Sequence, residues 1–347
     1  SSAASDVYKR QKLDTAIVPL FKDPHIVDIT FPYTKDFKKE LHIPKDALYK
    51  GKPRSRIAYL CASKRMDWEP VAWTEFDGKN IVFTDIQKGP VMRVATYERG
   101  RLRFWTDPFE INVSNEFHFF TPSDSVQDVT LFAKYTLRAD EMFLNRMIGG
   151  TFEGSNDPDF REKEVLYLIN EKPKRLQTVV QSYSSKSYRY VRYIGPKDSH
   201  CNIAEAAFYT PNDTASLKGK VIGTPGCFQK DGSHEYTNVF DGDVTTSFDY
   251  IEPSGGWSGL DLGTPKQIGR IVYTPRSYDN YIRSGDDYEL FYCARRNNWK
   301  SLGDQRSKAD SLIYIKIPVN ALLLLCNNTR GIQERIFVYT AAEQIWK

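Results

Sequence analysis

The feature that most restricts this chain is the shortness of its apolar runs. Stretches such as "RYVRYI" (189–194), "RIVYTP" (270–275) and "YELFY" (288–292) are a handful of residues long and built from aromatic and β-branched side chains. Gly, Pro, Asn or Asp stops each of them. Runs of this length and make-up fit strands covered on both faces, and they leave no room for the longer periodic pattern of a helical bundle. Only "LRADEMFLNRMI" (137–148) reads as helix, a connector of two or three turns. The 21 Tyr and 20 Phe recur in the same short runs, which places the chain among all-β proteins.

With 347 residues, two or three domains are expected. Residues 1–21, opening "SSAASDVYKRQ", look like a non-native or disordered start, with the natural protein continuing upstream. Residues 22–136 read as one β domain. Its hairpin turns fall at Asp77-Gly78 and Arg99-Gly100, where positive φ is needed. Residues 137–216 read as the connector helix plus a partial β unit, and 217–347 as a further sandwich. "TFEGSNDPDF" to Glu205, and "DYELFYCARRNNW" to Glu334, follow the same order of strand, Asn-containing turn and Glu-opened aromatic strand, a divergent internal repeat.

Forty-eight basic and 44 acidic residues nearly cancel without blocks of one sign, which argues against a nucleic-acid partner. The longest apolar runs, "AIVPLF" and "ALLLLC", fall far short of the roughly 20 residues of a helical membrane span. Cys61, Cys201, Cys227, Cys293 and Cys326 contain no CxxC pair, so neither a zinc site nor a dense disulfide framework is indicated. A papain-type nucleophile needs Cys61 to meet His42 or His118. Cys61, however, lies in the strand text "RIAYLCA" instead of at a helix start, and no catalytic residue is assigned. Asp67, Glu69, Glu75 and Asp77 beside Trp68 and Trp73 read as hairpin edges over core tryptophans.

One stretch, "NVFDGDVTTSFDY" (238–250), gathers carboxylates on a single turn. Asp241 and Asp243 point at the same small volume, which suits a hard cation better than an acid/base pair facing across a cleft. An EF-hand is excluded because Thr246 stands where that loop needs Gly and no helices flank it. The alternative is a tight turn whose Asp side chains cap backbone amides.

"NVFDGDVTTSF", "WSGLDLGTPKQIGRIVYTP", "GDDYELFYCARRNNWKSLG" and "QERIFVYT" stand in the order found in discoidin-like, or coagulation factor 5/8 type C, galactose-binding-like modules. The chain therefore resembles consecutive antiparallel β-sandwiches, the C-terminal one (217–347) a discoidin-like jelly roll. With "YRYVRYIGPKDSHCNIAEAAFY" it further resembles the non-catalytic tail of secreted bacterial proteins that carry an upstream transglutaminase-like domain. The resemblance implies a structural Ca2+ on Asp241, Asp243, Thr246 and Glu334. It also implies a carbohydrate-binding or adhesion role at the cell surface or outside the cell, with a glycan or glycoprotein partner, and an upstream catalytic domain in cis. The ligand is expected on the loops at one end, with Trp257, Arg276, Tyr278, Asp279, Asn280 and Arg283 supplying a stacking face and hydrogen-bonding forks. A protein-docking tail without glycan binding is the alternative.

Overall fold

The computed structural model describes residues 37–347 apart from 52–53, 77–79, 113, 136–137, 297–298 and 331–333. The expected start (1–21) and the Asp77-Gly78 turn lie outside the described residues. The chain is all-β, with several antiparallel sheets. It divides into two compact units. A terminal unit comprises the described residues up to Thr130 with Asp286–Arg306 and Ile313–Lys347, and a central unit comprises Leu131–Gly285 with Ser307–Leu312.

The N-terminal part supplies β1 (Phe37–His42), β2 (Ile57–Ser63), β3 (Glu69–Glu75), β4 (Val82–Gln87), β5 (Val91–Glu98), β6 (Arg101–Phe104), β7 (Phe109–Ile111), β8 (Phe117–Phe119) and β9 (Val126–Leu131). β1 and β4 pair with each other, and a six-stranded sheet runs β3-β2-β5-β7-β8 with β6 also on β5. The expected turn joins β5 to β6 through Arg99 and Gly100, both at positive φ. β5 explains why "VMRVATY" is apolar almost throughout. Met92 and Val94 face one core with Leu41, Phe83 and Ile86, while Val91 and Ala95 face another with Tyr59, Cys61, Trp68 and Phe104. A strand covered on both sides cannot show the polar alternation of a half-exposed one.

The central unit holds α1 (Arg138–Asn145), then β10 (Thr151–Ser155), β11 (Lys163–Leu168), β12 (Thr178–Gln181), β13 (Ser187–Ile194), β14 (Ile203–Tyr209), β15 (Lys220–Gly223), β16 (Trp257–Gln267) and β17 (Arg270–Pro275). A five-stranded sheet runs β11-β10-β13-β16-β15, and a three-stranded sheet runs β12-β17-β14. One core takes Phe152, Leu166, Val191, Tyr193 and Leu260 from the first sheet, and Ile203, Phe208, Ile271 and Tyr273 from the second. The Phe152 ring lies 5.4 Å from that of Tyr273 and 6.0 Å from that of Phe208. The arginines of "YRYVRYI" serve this architecture. Arg189 forks Asp261 at 2.8 and 2.9 Å, and Arg192 binds Glu153 while its guanidinium lies 4.1 Å from the Phe160 ring centroid.

The chain then returns to the terminal unit with β18 (Asp287–Cys293), β19 (Trp299–Arg306), β20 (Leu312–Pro318), β21 (Leu323–Asn327), β22 (Phe337–Thr340) and β23 (Glu343–Trp346). β20 pairs with β9, and the others form the sheet β19-β18-β21-β22-β23. Cys293, Leu322, Leu324 and Ile336 enter the same core as Tyr59, Cys61, Trp68 and Phe104. The strand pairing therefore divides 217–347 differently from the sequence reading. Residues 217–275 complete the sheets begun at 151, and β18, β19, β21 and β22 share a core with the N-terminal sheet instead of closing a sandwich with "WSGLDLG". Pairing partners are set by which apolar faces meet, and no local motif encodes that.

Buried Arg93 marks this shared core. Its Nε donates to Thr106 O at 3.1 Å, Nη2 donates to Arg295 O, and its guanidinium lies 4.1 Å from the Phe104 ring centroid. Burial pushes the Cys61 thiol up to about 12, outweighing the opposing effect of Arg93, and pushes Cys293 up to about 11. His42 pairs with Glu40, and the His118 ring packs edge-on against Phe120.

Candidate functional site

Three loops and α1 come together at one end of the central unit. The first loop, "GPKDSHCN" (195–202), folds back tightly, because a Cβ at Gly195 would stand 2.6 Å from Cys201 Cα. Asp198, His200 and Cys201 all take positive φ, a conformation that non-glycine residues hold only when neighbours enforce it. The second loop provides that enforcement. Ser199 N and His200 N donate to Pro253 O at 2.9 and 3.1 Å, Tyr250 N donates to His200 O at 2.8 Å, and Asp198 N donates to Ser254 Oγ at 3.0 Å. Asn202 Nδ2 donates to Asp249 Oδ1 at 3.2 Å, and the Arg276 guanidinium binds the other oxygen of Asp249. Arg276 also lies 4.4 Å from the Phe143 ring centroid, which ties the third loop to α1.

These contacts decide what the sequence-predicted ligand residues do. Arg276 is committed to Asp249 and Phe143. Arg283 is committed to Asp279, and Asn280 is buried with its carbonyl accepting Lys134 N at 2.9 Å. Tyr281, between Asn280 and Arg283, is buried and bridges to Ala133. Trp257 opens β16 half-buried, its ring 5.7 Å from that of Phe160 and its centroid 5.1 Å from the Arg192 guanidinium. Tyr278, 47 % exposed and 5.8 Å from Phe143 ring to ring, keeps an open face. The expected loop is brought together, with most of its polar groups holding it in shape.

The four residues expected to hold calcium separate. Asp241, Asp243 and Thr246 share one turn in the central unit, whereas Glu334 lies in the terminal unit and is ion-paired with Arg65. In the turn, Asp243 N donates to Asp241 Oδ1 at 2.7 Å and Thr246 Oγ1 to Asp241 Oδ2 at 2.8 Å. Thr245 donates to Asp243 Oδ1 from both N (2.9 Å) and Oγ1 (2.6 Å), and these bonds hold the Asp243 carboxyl below its ordinary range. The glutamate beside the turn is Glu205, whose Oε1 accepts Gly242 N at 2.8 Å. Burial, and then the Asp241 carboxyl next to it, push Glu205 up to about 8. Among the described residues no three His, Cys, Asp or Glu side chains are grouped to hold a metal ion. The present geometry is that of an aspartate-capped turn.

A groove that sequence reasoning missed lies beside these loops, lined by Glu141, Met142, Asn145, Arg146, Ile148 and residues 196–199, with a volume of about 960 Å³. Met142 and Ile148 are each 42 % exposed, off the face that buries Phe143, Leu144 and Met147. Glu141 binds Lys172 at 2.7 Å. The side chains of Asn145, Arg146, Lys197 and Asp198 have no hydrogen-bonding or ionic partner among the described residues. The available signal was a helix with two apolar residues more than its buried face needs.

No known family model, curated protein or solved structure matches the chain. The functional reading therefore rests on geometry and on the motifs.

Proposed function

We propose that this chain is a non-catalytic binding protein whose central unit is a discoidin-like β-sandwich, and that a glycan occupies the groove between α1 and the 196–199 loop. The observation that carries the reading is the contrast between that groove and the neighbouring loop. Asn145, Arg146, Lys197 and Asp198 are uncommitted around the apolar Met142, Ile148 and Pro196, while Arg276 and Arg283 of the 276–283 loop are already held by Asp249 and Asp279. Sugars are bound by such a combination of apolar floor and hydrogen-bonding groups. The sandwich assignment is supported by "YRYVRYIGP", "CNIAEAAFY", "NVFDGDVTTSF" and "WSGLDLG" all falling in one unit with one core shared by two sheets. The raised thiols of Cys61 and Cys293 favour a non-catalytic role, since the thiolate is the nucleophile. An extracellular or surface setting beside an upstream transglutaminase-like domain belongs to the same reading.

Glycan-array screening of the chain, followed by calorimetry on variants, tests it. Asn145→Ala with Arg146→Ala is expected to weaken the best glycan at least about tenfold, with thermal stability nearly unchanged because both residues are surface-facing. Tyr278→Ala with Arg283→Ala is expected to lower stability through loss of the Arg283–Asp279 pair and to leave glycan affinity within about twofold. No array signal, or undiminished binding by the groove variant, refutes the assignment.

A further inference from the structure

We propose that the terminal unit carries a second, independent site, a pocket for a small and largely apolar anion such as an aromatic carboxylate, walled by Trp105 and Tyr49 and steered by Lys45 and Lys50. The pocket has a volume of about 400 Å³, within the range of small-molecule sites. Its floor is the apolar face of the six-stranded sheet, with Ala58 from β2 and Val94 from β5, and Phe76 and Ile81 close one side. Its roof is the segment after β1, where a single 3-10 turn at Lys45–Ala47 leads into Leu48 and Tyr49.

Both aromatic walls are fixed in place. Trp105 Nε1 donates to Thr96 Oγ1 at 2.9 Å, and Trp105 O accepts Tyr49 N at 2.8 Å. The Tyr49 hydroxyl donates to Asp107, whose other carboxylate oxygen accepts Thr121 Oγ1 at 2.7 Å. Gly51 lets the backbone approach the indole, since a Cβ there would stand 3.2 Å from its ring edge. The rings are therefore ready to receive a flat ligand without first losing rotamer freedom, which favours affinity.

Charge selects the ligand class. Among the described residues no carboxylate lines the pocket. Lys45 and Lys50 are both exposed, and their ammonium groups have no ionic or hydrogen-bonding partner among the described residues. Arg296 adds a third positive charge nearby, its guanidinium 5.3 Å from the Tyr49 ring centroid and donating to Lys50 O at 2.9 Å. A cation would be repelled and a neutral ring would gain only the walls, whereas an anionic ring gains the walls and the ammonium groups.

Isothermal titration with indole-3-acetate, indole-3-acetamide and tryptamine tests the site. The acetate is expected to bind tightest, with affinity falling as salt rises, and tryptamine is expected to show no heat of binding. Lys45→Ala with Lys50→Ala is expected to weaken the acetate about tenfold while leaving the acetamide unchanged. Filling the pocket with Ala58→Leu, or with Leu48→Trp should the first variant melt early, is expected to abolish binding of both. Absence of acetate binding, equal binding of tryptamine, or indifference to the lysine substitutions overturns the proposal. None of these outcomes bears on the central-unit groove.

Discussion

The two units reach a similar result by opposite routes. The central unit takes its two sheets from one nearly unbroken stretch that includes "NVFDGDVTTSF" and "WSGLDLG", whereas "YELFY" and "IFVYT" fall in the terminal unit. The terminal unit joins strands from both ends of the chain, and Val91, Phe104 and Trp68 are covered by Leu322, Leu324 and Ile336 from more than 200 positions away. Neighbours in sequence thus supply the core of the first, whereas the second depends on pairings between distant segments.

The most severe test of that contrast is excision. A fragment of residues 131–312 is expected to keep a cooperative thermal transition, because it carries its whole core. A fragment of residues 37–130 is expected to melt without one, having lost half the cover over β5. Circular dichroism melts and amide dispersion in proton NMR decide the matter, and a cooperatively folded 37–130 fragment would break the comparison.

Paired substitutions of buried arginines give a smaller effect. Arg93→Ala empties a fully buried site and strands the carbonyls of Thr106 and Arg295, at a cost of about 3 kcal/mol to the terminal unit. Arg192→Ala costs the central unit less, about 2 kcal/mol, because Lys163 still binds Glu153 at 2.8 Å. Urea denaturation is expected to show two transitions, each substitution moving only its own. A shift of both together would mean that the units unfold as one.

The last expected effect is read against pH and belongs to the central unit. Folded Glu205 keeps its proton up to about pH 8, whereas an unfolded glutamate releases it near its ordinary value of 4.5. Between these limits the folded state binds more protons, so stability falls as pH rises through the window. Glu205→Gln is expected to flatten that slope and to raise the melting temperature most at the alkaline end. Added calcium separates the two readings of the Asp241 turn. The wild-type slope flattens if the turn takes up the ion, and it persists unchanged if the aspartates only cap backbone amides.

Individual strands were legible because short aromatic and β-branched runs have few other uses. "RYVRYI" lies within β13, "RIVYTP" is β17, and "YELFY" lies within β18. The connector helix was legible from its period, and α1 occupies its centre. Sheet membership was not legible, since an apolar strand face fits many partners and the choice is made by the whole core. The same limit misplaced the glutamate beside Asp241. Glu205 and Glu334 open similar aromatic strands, and only the fold shows which of them meets the turn. The loop 276–283 was found, but a sequence cannot show that Arg276 and Arg283 are already engaged by Asp249 and Asp279.

The split origin of the terminal unit has a consequence for the order of events on the ribosome. Synthesis delivers β2 to β8 well before β18, β21 and β22, the elements that bring the cover for one face of their sheet, and β10 to β17 come between. The central unit can finish folding in the meantime. Until β21 and β22 arrive, Trp68, Val91 and Phe104 form an uncovered apolar surface on a nascent chain, the kind of surface that recruits holdase chaperones or self-associates. Closing contacts over such sequence separations is slow, so the arrival of the leucines of "ALLLLC" sets the pace at which this face of the terminal unit becomes safe from aggregation.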